Sequence, residues 1–301
     1  MRNYILLFLA PICFAYAAPH IAKDGGGMAA QRNQFPWMVR LGGSYIAIHY
    51  NGVLHISTGQ WCGGFLIPVP GNDKESDMVL TAAHCIVNER VVIESRREFD
   101  MQPTGSYMNP EHITLVAGAH LREKMEAGYE KRNVEVMEYH PRYEAEQHGV
   151  ADIAVIKLDR PVKFSDQMKP ILLPKKGEAI GENAKCVIAG WGAIDDEPSY
   201  ADELQYMNVT ASDGYDCDDY YVRDVYSVEP EPESPSACGG DSGGPLFCKR
   251  GEDWVAYGVA SFASGCEKRH FLLCPSGYVK IEPYIGWINK KIQAWSELMK
   301  E

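Results

Sequence analysis

Short apolar or alternating runs, each ended by turn residues, constrain the fold of this chain more than any other feature. They lie at residues 37–41, 64–67, 78–82, 113–117, 153–158, 186–189 and 255–261. Runs of this length and spacing are typical of antiparallel strands in a barrel or sandwich, not of βαβ units. One segment, 283–301, instead has apolar residues at helical spacing: Ile285, Ile288, Ile292 and Trp295. We therefore expect an all-β domain with a C-terminal helix docked by its apolar face.

The N-terminus carries the pattern of a secretory signal. Arg2 precedes an apolar run at 4–14 and small residues at 15–17, the order found in cleavable signal peptides. Cleavage after Ala17 is favoured, because a cut one residue later would place Pro19 first. Neither this run nor any later stretch is long enough to span a bilayer. We expect a secreted, extracellular protein with signal peptide 1–17, a short N-terminal or propeptide segment 18–23, and one domain at 24–301.

The cysteine count fits an oxidising compartment. Cys13 leaves with the signal, and an even eight remain: Cys62, Cys85, Cys186, Cys217, Cys238, Cys248, Cys266 and Cys274. Four disulfides are the simplest interpretation. A zinc site has little support, since no Cys-x-x-Cys occurs and the only close Cys/His pair is His84-Cys85. We predict no metal and no cofactor.

The formal net charge of -12 argues against nucleic acid as a partner, because nucleic-acid binding requires basic surfaces. Part of the acidity is local. Eight carboxylates and three prolines crowd residues 213–235. This segment is interpreted as a solvated loop, with attraction of basic substrates as the alternative.

A serine within a glycine cradle, Gly240-Asp241-Ser242-Gly243-Gly244-Pro245, carries the chemistry. Glycine permits positive φ and lets N–H groups approach a bound oxygen closely, which an activated serine and its oxyanion hole require. A serine hydroxyl is a weak nucleophile, so it needs a base and a carboxylate that orients the base. His84 and Asp152 are candidates for these roles. Taken alone, an acid at the start of an apolar strand would more often be a strand cap.

Several motifs in order resemble those of the trypsin- and chymotrypsin-like serine proteases. They are Phe35-Pro36-Trp37, Cys62-Gly63-Gly64, Thr81-Ala82-Ala83-His84-Cys85, Gly190-Trp191-Gly192, the 240–245 hexapeptide, Ser261-Phe262 and Trp287-Ile288. The resemblance spans about 34–292 and implies two six-stranded antiparallel β-barrels with the active site between them. It makes Ser242 the nucleophile, His84 the general base and then acid, and Asp152 the residue that fixes the tautomer of His84. Gly240 and Ser242 would supply the oxyanion hole, and Ser261 would lie beside Asp152.

The same resemblance implies three disulfides: Cys62 with Cys85, Cys186 with Cys248, and Cys238 with Cys266. Cys217 matches a family cysteine whose usual partner is absent, and Cys274 lies where the family usually has none. We predict that these two pair with each other.

The resemblance also describes the primary specificity pocket. Its floor is Ser236, where a trypsin-like enzyme has an aspartate, and its walls include Ala263 and Ser276 where glycine is common. A neutral floor argues against basic P1 residues, and the substituted walls favour medium or small apolar ones. The pocket is thus closest to the chymotrypsin- and elastase-like types.

The activation sequence departs from the family. The new N-terminus of a cleaved zymogen is usually Ile-Val-Gly-Gly, and its ammonium pairs with the aspartate that matches Asp241. Cleavage after Lys23 would instead expose Asp24 and bring a second carboxylate towards Asp241. A cut after His20 would supply Ile21 if the extra residues loop out, and a form that is not cleaved or is activated differently is the third alternative.

Three further expectations follow from local sequence. Asn208-Val209-Thr210 is an N-glycosylation sequon. Ala119 matches the first calcium ligand of some relatives and cannot coordinate, so we predict no calcium there. Longer stretches before Cys62, at 67–78 and at 85–113 border the cleft in this fold, so they either restrict access or are neutral insertions.

Two functions remain. The first is an active secreted serine endopeptidase, monomeric, with protein or peptide substrates and protease inhibitors as candidate partners. The second is a catalytically silent homologue that binds or acts as a cofactor protein. Silent homologues usually lose a triad residue, so intact His84, Asp152 and Ser242 favour the enzyme.

Overall fold

The computed structural model describes residues 27–48, 54–88, 106–107, 109–124, 126–144, 150–193, 200–217, 220–230, 241–263 and 275–297. Within these ranges the strands are β1 (Met28–Ala29), β2 (Met38–Ile48), β3 (Leu54–Leu66), β4 (Glu75–Thr81), β5 (Val87–Asn88), β6 (Ser106–Tyr107), β7 (Ile113–Ala117), β8 (Glu130–Tyr139), β9 (Ala154–Lys163), β10 (Ala184–Gly190), β11 (Gln205–Cys217), β12 (Tyr220–Pro230), β13 (Pro245–Arg250), β14 (Asp253–Phe262) and β15 (Ser276–Lys280). Three 3₁₀ helices, Ala83–Cys85, Pro110–His112 and Glu282–Tyr284, and the helix α1 (Ile285–Glu297) complete the described elements.

The first six-stranded antiparallel barrel follows the order β2-β3-β4-β9-β8-β7 and closes where β2 pairs with β7. Strand β7 shows why these residues form strands: Ile113, Leu115 and Ala117 are buried, and the two residues between them are partly exposed. This alternation places one face of the strand in the core and the other towards solvent. Strand β9 begins with five buried residues, so it forms a central part of the core.

The second barrel follows the order β11-β10-β13-β14-β15-β12, and β12 closes it against β11. The short strand β1 adds to the outer edge of β11. Both barrels are closed antiparallel sheets, as the sequence predicts, and closure removes the exposed edges that would otherwise invite aggregation. The prediction of an all-β fold with two six-stranded barrels is confirmed.

The C-terminal helix is also confirmed. In α1 the side chains of Ile288, Ile292 and Trp295 are buried, and Ile285 packs at the margin of the core. A 3₁₀ turn that ends at Tyr284 leads directly into the helix. No helix in the described part of the chain is long and apolar enough to cross a membrane.

The interpretation of the acidic segment as a loop is wrong for residues 213–217 and 220–230. These residues belong to β11 and β12, which pair as an antiparallel hairpin with a register shift at Gly214. The reason is a set of buried apolar residues within the acidic sequence, Val222, Val225 and Val228, which pack into the core clusters. Asp213, Asp216 and Glu229 are exposed on the same two strands, so net charge masked a strand pattern.

Two of the predicted disulfides are confirmed, Cys62–Cys85 and Cys186–Cys248. The second joins residues that pair directly across β10 and β13. The predicted pairs of Cys238 with Cys266 and of Cys217 with Cys274 fall outside the residues whose side chains are described.

Candidate active site

His84 is fixed on the first barrel by its neighbours. It lies in the 3₁₀ turn Ala83–Cys85 that follows β4, and the next residue, Cys85, is bonded to Cys62 on β3. Ala83 and Cys85 are buried, whereas the His84 side chain is 27% exposed. The imidazole is therefore anchored by its backbone and still reaches the surface.

Asp152 lies in the turn that precedes β9, and its side chain is buried. One carboxylate oxygen, Oδ1, accepts the backbone N–H of His84 at 2.9 Å, and the other, Oδ2, lies 2.7 Å from His84 Nδ1. The hydroxyl of Ser261 donates to Oδ2 at 2.5 Å. Three donors from two segments thus converge on one carboxylate.

This environment determines the charge of Asp152. Burial alone would raise the pKa of its carboxyl, but the charge of His84 and the hydrogen bonds from His84 and Ser261 outweigh burial and lower the pKa. The ionised carboxylate accepts a hydrogen bond from the N–H at His84 Nδ1. Neutral imidazole then has Nε2 as its acceptor nitrogen, which is the arrangement a general base requires.

Ser242 is held by backbone contacts with the first barrel. The N–H of Gly63 donates to the carbonyl of Ser242 at 2.7 Å, and the hydroxyl of Thr81 donates to the carbonyl of Gly63 at 2.8 Å. Gly243, at φ 80°, follows the serine, and its N–H donates to the carbonyl of Ala260 on β14. Since Gly63 adjoins Cys62, the serine turn and the His84 turn are tied to the same stretch of β3.

The family model described as Trypsin matches residues 24–288. This span takes in both barrels and the residues His84, Asp152 and Ser242. The chain belongs to the trypsin family. It is accordingly a serine protease, a hydrolase that acts on protein or peptide substrates.

Asp241, next to Ser242 in this trypsin-family protease, lines a pocket that includes residues of β10, β11 and β15 in the second barrel. Its Oδ1 accepts the N–H of Gly192 at 2.9 Å. A Cβ added at Gly190 or Gly192 would lie within 2.6 Å of this carboxylate, so a side chain at either position would displace the Asp241 carboxylate. Gly27 lines the same pocket, whereas residues 24–26 lie outside the described ranges.

Two of the residues predicted to line the specificity pocket, Ser276 and Ala263, are described, on β15 and just after β14. Ser276 is 3% exposed on β15, and Ala263 follows the end of β14 at the surface. Ser236 and Gly240 fall outside the described residues. Beside the pocket, the Phe262 ring occupies the space that a side chain at Gly277 would need, because a Cβ there would lie 2.1 Å from the ring. The ring also meets Tyr215 edge-on at 4.8 Å between centroids.

Two groups of described residues were candidates for a metal site, and both have their ligand atoms already engaged. Within the described ranges, one group, Cys62, His84 and Cys85, brings three potential ligand atoms together, but both thiols are consumed in a disulfide. In the segment after Ala119, Glu126 accepts the backbone N–H groups of His120 and Leu121 at 2.9 and 2.7 Å and pairs with Arg32. The Glu126 carboxylate is thus already occupied by one cationic side chain and two backbone donors, which makes it a poor metal ligand.

Sequence reasoning missed Gly63, Thr81 and Phe262 as parts of the site. Thr81 and Gly63 stand inside the quoted motifs, so their place in the motifs was a usable signal. The contact of Phe262 with Gly277 had none, because it depends on the pairing of two distant strands.

Proposed function

We propose that this protein is an active secreted serine endopeptidase in which Ser242, His84 and Asp152 form the catalytic triad. The observation that carries the proposal is the double contact of the Asp152 carboxylate with His84, through the backbone N–H and through Nδ1. This contact orients the imidazole and fixes the tautomer in which Nε2 accepts a proton.

The reaction follows from these roles. His84 Nε2 takes the proton of the Ser242 hydroxyl while its oxygen attacks the scissile carbonyl, and the N–H groups of Gly240 and Ser242 stabilise the resulting oxyanion. His84 then donates the proton to the leaving amine, which gives an acyl-enzyme. Water, deprotonated by His84, hydrolyses it and restores the serine. Loss of one oxyanion-hole donor would reduce the rate by about 10² to 10³.

Apolar P1 residues of small or medium size fit the pocket best. The floor, Ser236, carries no charge to pair with lysine or arginine, and the buried Ser276 takes up wall space that glycine would leave open. Differences of this kind shift preference by about 1 to 3 kcal/mol. A library of peptide substrates varied at P1 tests this, and a preference for arginine or lysine would contradict it.

An active-site phosphonate tests the catalytic proposal. The secreted and processed protein should be labelled covalently, and Ser242→Ala should not. The exposed Ser165→Ala serves as the matched control and should be labelled like the wild type. If the processed wild type is not labelled, the protein is a silent homologue that binds without cleaving.

The Asp241 pocket favours a role for this residue in activation. Gly27 lines the pocket together with Asp241, and in the sequence Gly27 follows the candidate N-terminal residue Asp24 by three positions. The three routes differ in the N-terminus they produce: Ile21, Asp24, or an uncleaved segment after Ala17. N-terminal sequencing of the secreted active protein distinguishes them and also tests the boundaries 1–17 and 18–23.

Secretion and glycosylation belong to the same proposal. Asn208 is exposed on β11, and Thr210 lies on the same outward face, so the sequon is accessible to a glycosyltransferase. The two disulfides fit an oxidising compartment. Treatment of the secreted protein with an N-glycosidase should lower its mass, and Asn208→Gln should abolish that change.

A further inference from the structure

The loop 119–126, which lies between β7 and β8 of the first barrel, is organised by the side chain of Glu126. One carboxylate oxygen, Oε2, accepts the backbone N–H groups of His120 and Leu121 at 2.9 and 2.7 Å. The other oxygen, Oε1, pairs with the guanidinium of Arg32, and the Glu126 side chain is 8% exposed. Both oxygens of a largely buried carboxylate are thus engaged, and they fix the turn at 120–121.

The Glu126 carboxyl is ionised in this position. Burial alone would raise its pKa, but the hydrogen bonds from Leu121 and His120 and the pair with Arg32 outweigh burial and lower the pKa. An ionised carboxylate binds backbone N–H groups more strongly than a neutral acceptor does. Glutamine would not replace it, because its single oxygen would serve either the two backbone N–H groups or Arg32.

The turn held by this carboxylate presents a carbonyl group to the second barrel. The carbonyl oxygen of His120 accepts the indole N–H of Trp191 at 3.0 Å and the backbone N–H of Leu204 at 2.8 Å. The N–H of Arg122 donates to the carbonyl of Asp202 at 2.7 Å. The loop is therefore bonded to two segments of the second barrel, the one that follows β10 and the one that leads into β11.

Trp191 adjoins a residue that binds Asp241. The Trp191 side chain is buried, and its indole has a fixed acceptor in the loop. The N–H of Gly192 donates to Asp241 Oδ1 at 2.9 Å, and Asp241 immediately precedes Ser242. A shift of Trp191 would move Gly192 and the carboxylate bound to it. Each step from Glu126 to the serine turn is thus a hydrogen bond or a peptide link.

We propose that Glu126 is a positioning residue for catalysis: by locking its loop against Trp191, it keeps the Asp241 carboxylate in place beside the nucleophile. The inference rests on the triad proposed above. It also gives Arg32, in the segment between β1 and β2, a part in the alignment of the active site, because Arg32 supplies the positive charge that Glu126 faces.

The test compares Glu126→Gln with Glu178→Gln. Glu178 is the matched control, because it also accepts a backbone N–H, that of Lys175 at 2.8 Å, and pairs with an arginine, Arg250, at 3.0 Å. For Glu126→Gln we expect kcat on a peptide cleaved by the wild type to fall about 10- to 100-fold, with KM changed less than about twofold. Glu178→Gln should keep both values, whatever stability it loses.

Arg32 allows a test by conservative rescue. Its side chain is 53% exposed, so its replacement leaves the core intact. Arg32→Gln should lower kcat in the same direction as Glu126→Gln but by less, because the two backbone N–H groups still bind the carboxylate. Arg32→Lys retains a cation and should restore most of the lost activity. Lys124→Gln, at an exposed site in the same loop, controls for the change in net charge and should have no effect.

The indole N–H of Trp191 gives a readout that does not require turnover. In the wild type and in Glu178→Gln its proton should exchange slowly with water, because the indole is buried and bonded to His120. In Glu126→Gln the exchange should be faster and the resonance should shift. NMR of the ¹⁵N-labelled protein measures both, and Trp191→Phe assigns the signal. If phosphonate fails to label the wild type, the proposed function is rejected, and indole exchange still tests the link from Glu126 to Trp191.

The inference is wrong if folded Glu126→Gln keeps either its kcat or the slow exchange of the Trp191 indole. It is also wrong if Glu178→Gln loses as much activity, since any carboxylate of this kind would then matter equally. Should Glu126→Gln fail to fold, the Arg32 variants decide. Equal kcat values for Arg32→Gln, Arg32→Lys and the wild type would overturn the inference.

Discussion

The charge of the Asp152 carboxylate can be tested by a substitution that keeps its shape. In Asp152→Asn the side-chain amide would donate to His84 Nδ1 and stabilise the tautomer that carries its proton on Nε2. That imidazole cannot accept the proton of Ser242, so kcat should fall about 10⁴-fold. Steady-state kinetics measure the loss. The exposed Asp159→Asn, which changes charge in the same way, should retain full activity.

Ser261 stabilises the same carboxylate from the second barrel. Ser261→Ala removes a hydrogen bond to a buried charge, which is worth about 1.5 to 3 kcal/mol, and the free energy of unfolding should fall by that amount in denaturant titrations. Ser296→Ala is the control, because Ser296 donates to the neutral carbonyl of Ile292 and its loss should cost about 1 kcal/mol. Equal losses in the two variants would show that the Ser261 contact has no special weight.

The candidate site could be predicted from sequence only where residue type carries the information. His84, Asp152 and Ser242 stand in motifs whose chemistry requires those side chains. The left-handed conformation of Ala151, with φ at 52°, could not be predicted, because alanine gives no signal for positive φ. The contact of Gly63 with Ser242 joins two backbones across 179 positions of sequence, and backbone hydrogen bonds are indifferent to side-chain identity.

At the scale of elements, the serine turn depends on Gly243. A Cβ there would lie 2.2 Å from Thr81 Oγ1 and 2.5 Å from the carbonyl oxygen of Gly63, with φ at 80°. Gly251 in the β13–β14 turn also has positive φ, 64°, but a Cβ there would meet nothing within 4 Å. A substitution at Gly251 therefore tests backbone strain alone, whereas one at Gly243 tests strain together with steric conflict.

Gly251→Ala should therefore cost about 1 to 2 kcal/mol, the cost of a left-handed alanine, and leave phosphonate labelling unchanged. Gly243→Ala should cost more and also slow labelling, because the serine turn must move away from Thr81. Thermal unfolding and labelling rates measure the two effects. If the two variants lose the same stability and label at the same rate, the close packing against Thr81 is unimportant.

Elements were predictable where one face is apolar and the other carries few charges. Strand β7 occupies the predicted range, and β10 and β14 each contain a predicted run. Strand β8 (Glu130–Tyr139) was not predicted from the sequence. Its buried residues are Val134 and Met137, and charged residues surround them. The β11–β12 hairpin was not predicted for the same reason. A strand can carry many charged residues towards solvent and still pack its other residues in the core.

For the whole molecule, three buried or partly buried carboxylates predict loss of stability in acid. Burial opposes ionisation of Asp152, Glu126 and Glu178, yet hydrogen bonds and neighbouring cations lower the pKa of each. In the unfolded chain these groups titrate near their ordinary values of about 4. As pH falls through that range the unfolded state binds protons first, so the stability they provide is present above it and is lost below it.

The midpoint of thermal unfolding should therefore drop as pH falls from about 5 to about 3. Glu178→Gln should make the drop shallower, because it removes one of the groups responsible. Glu182→Gln, at an exposed site four residues further along the chain, should leave the slope unchanged. A midpoint that does not change over this range would contradict the assigned shifts.

The hydrogen bond from Gly63 to Ser242 passes from one barrel to the other, so in the proposed triad the nucleophile and its base are carried by different barrels. Proteolytic activity would then depend on how the two barrels are aligned. A displacement of about 1 Å between reacting groups can reduce the rate about 10²-fold. The same displacement would leave the strands of both barrels paired. On heating, we expect activity to disappear before the circular dichroism signal of the strands changes. Loss of activity would therefore report misalignment of the two barrels before either barrel unfolds.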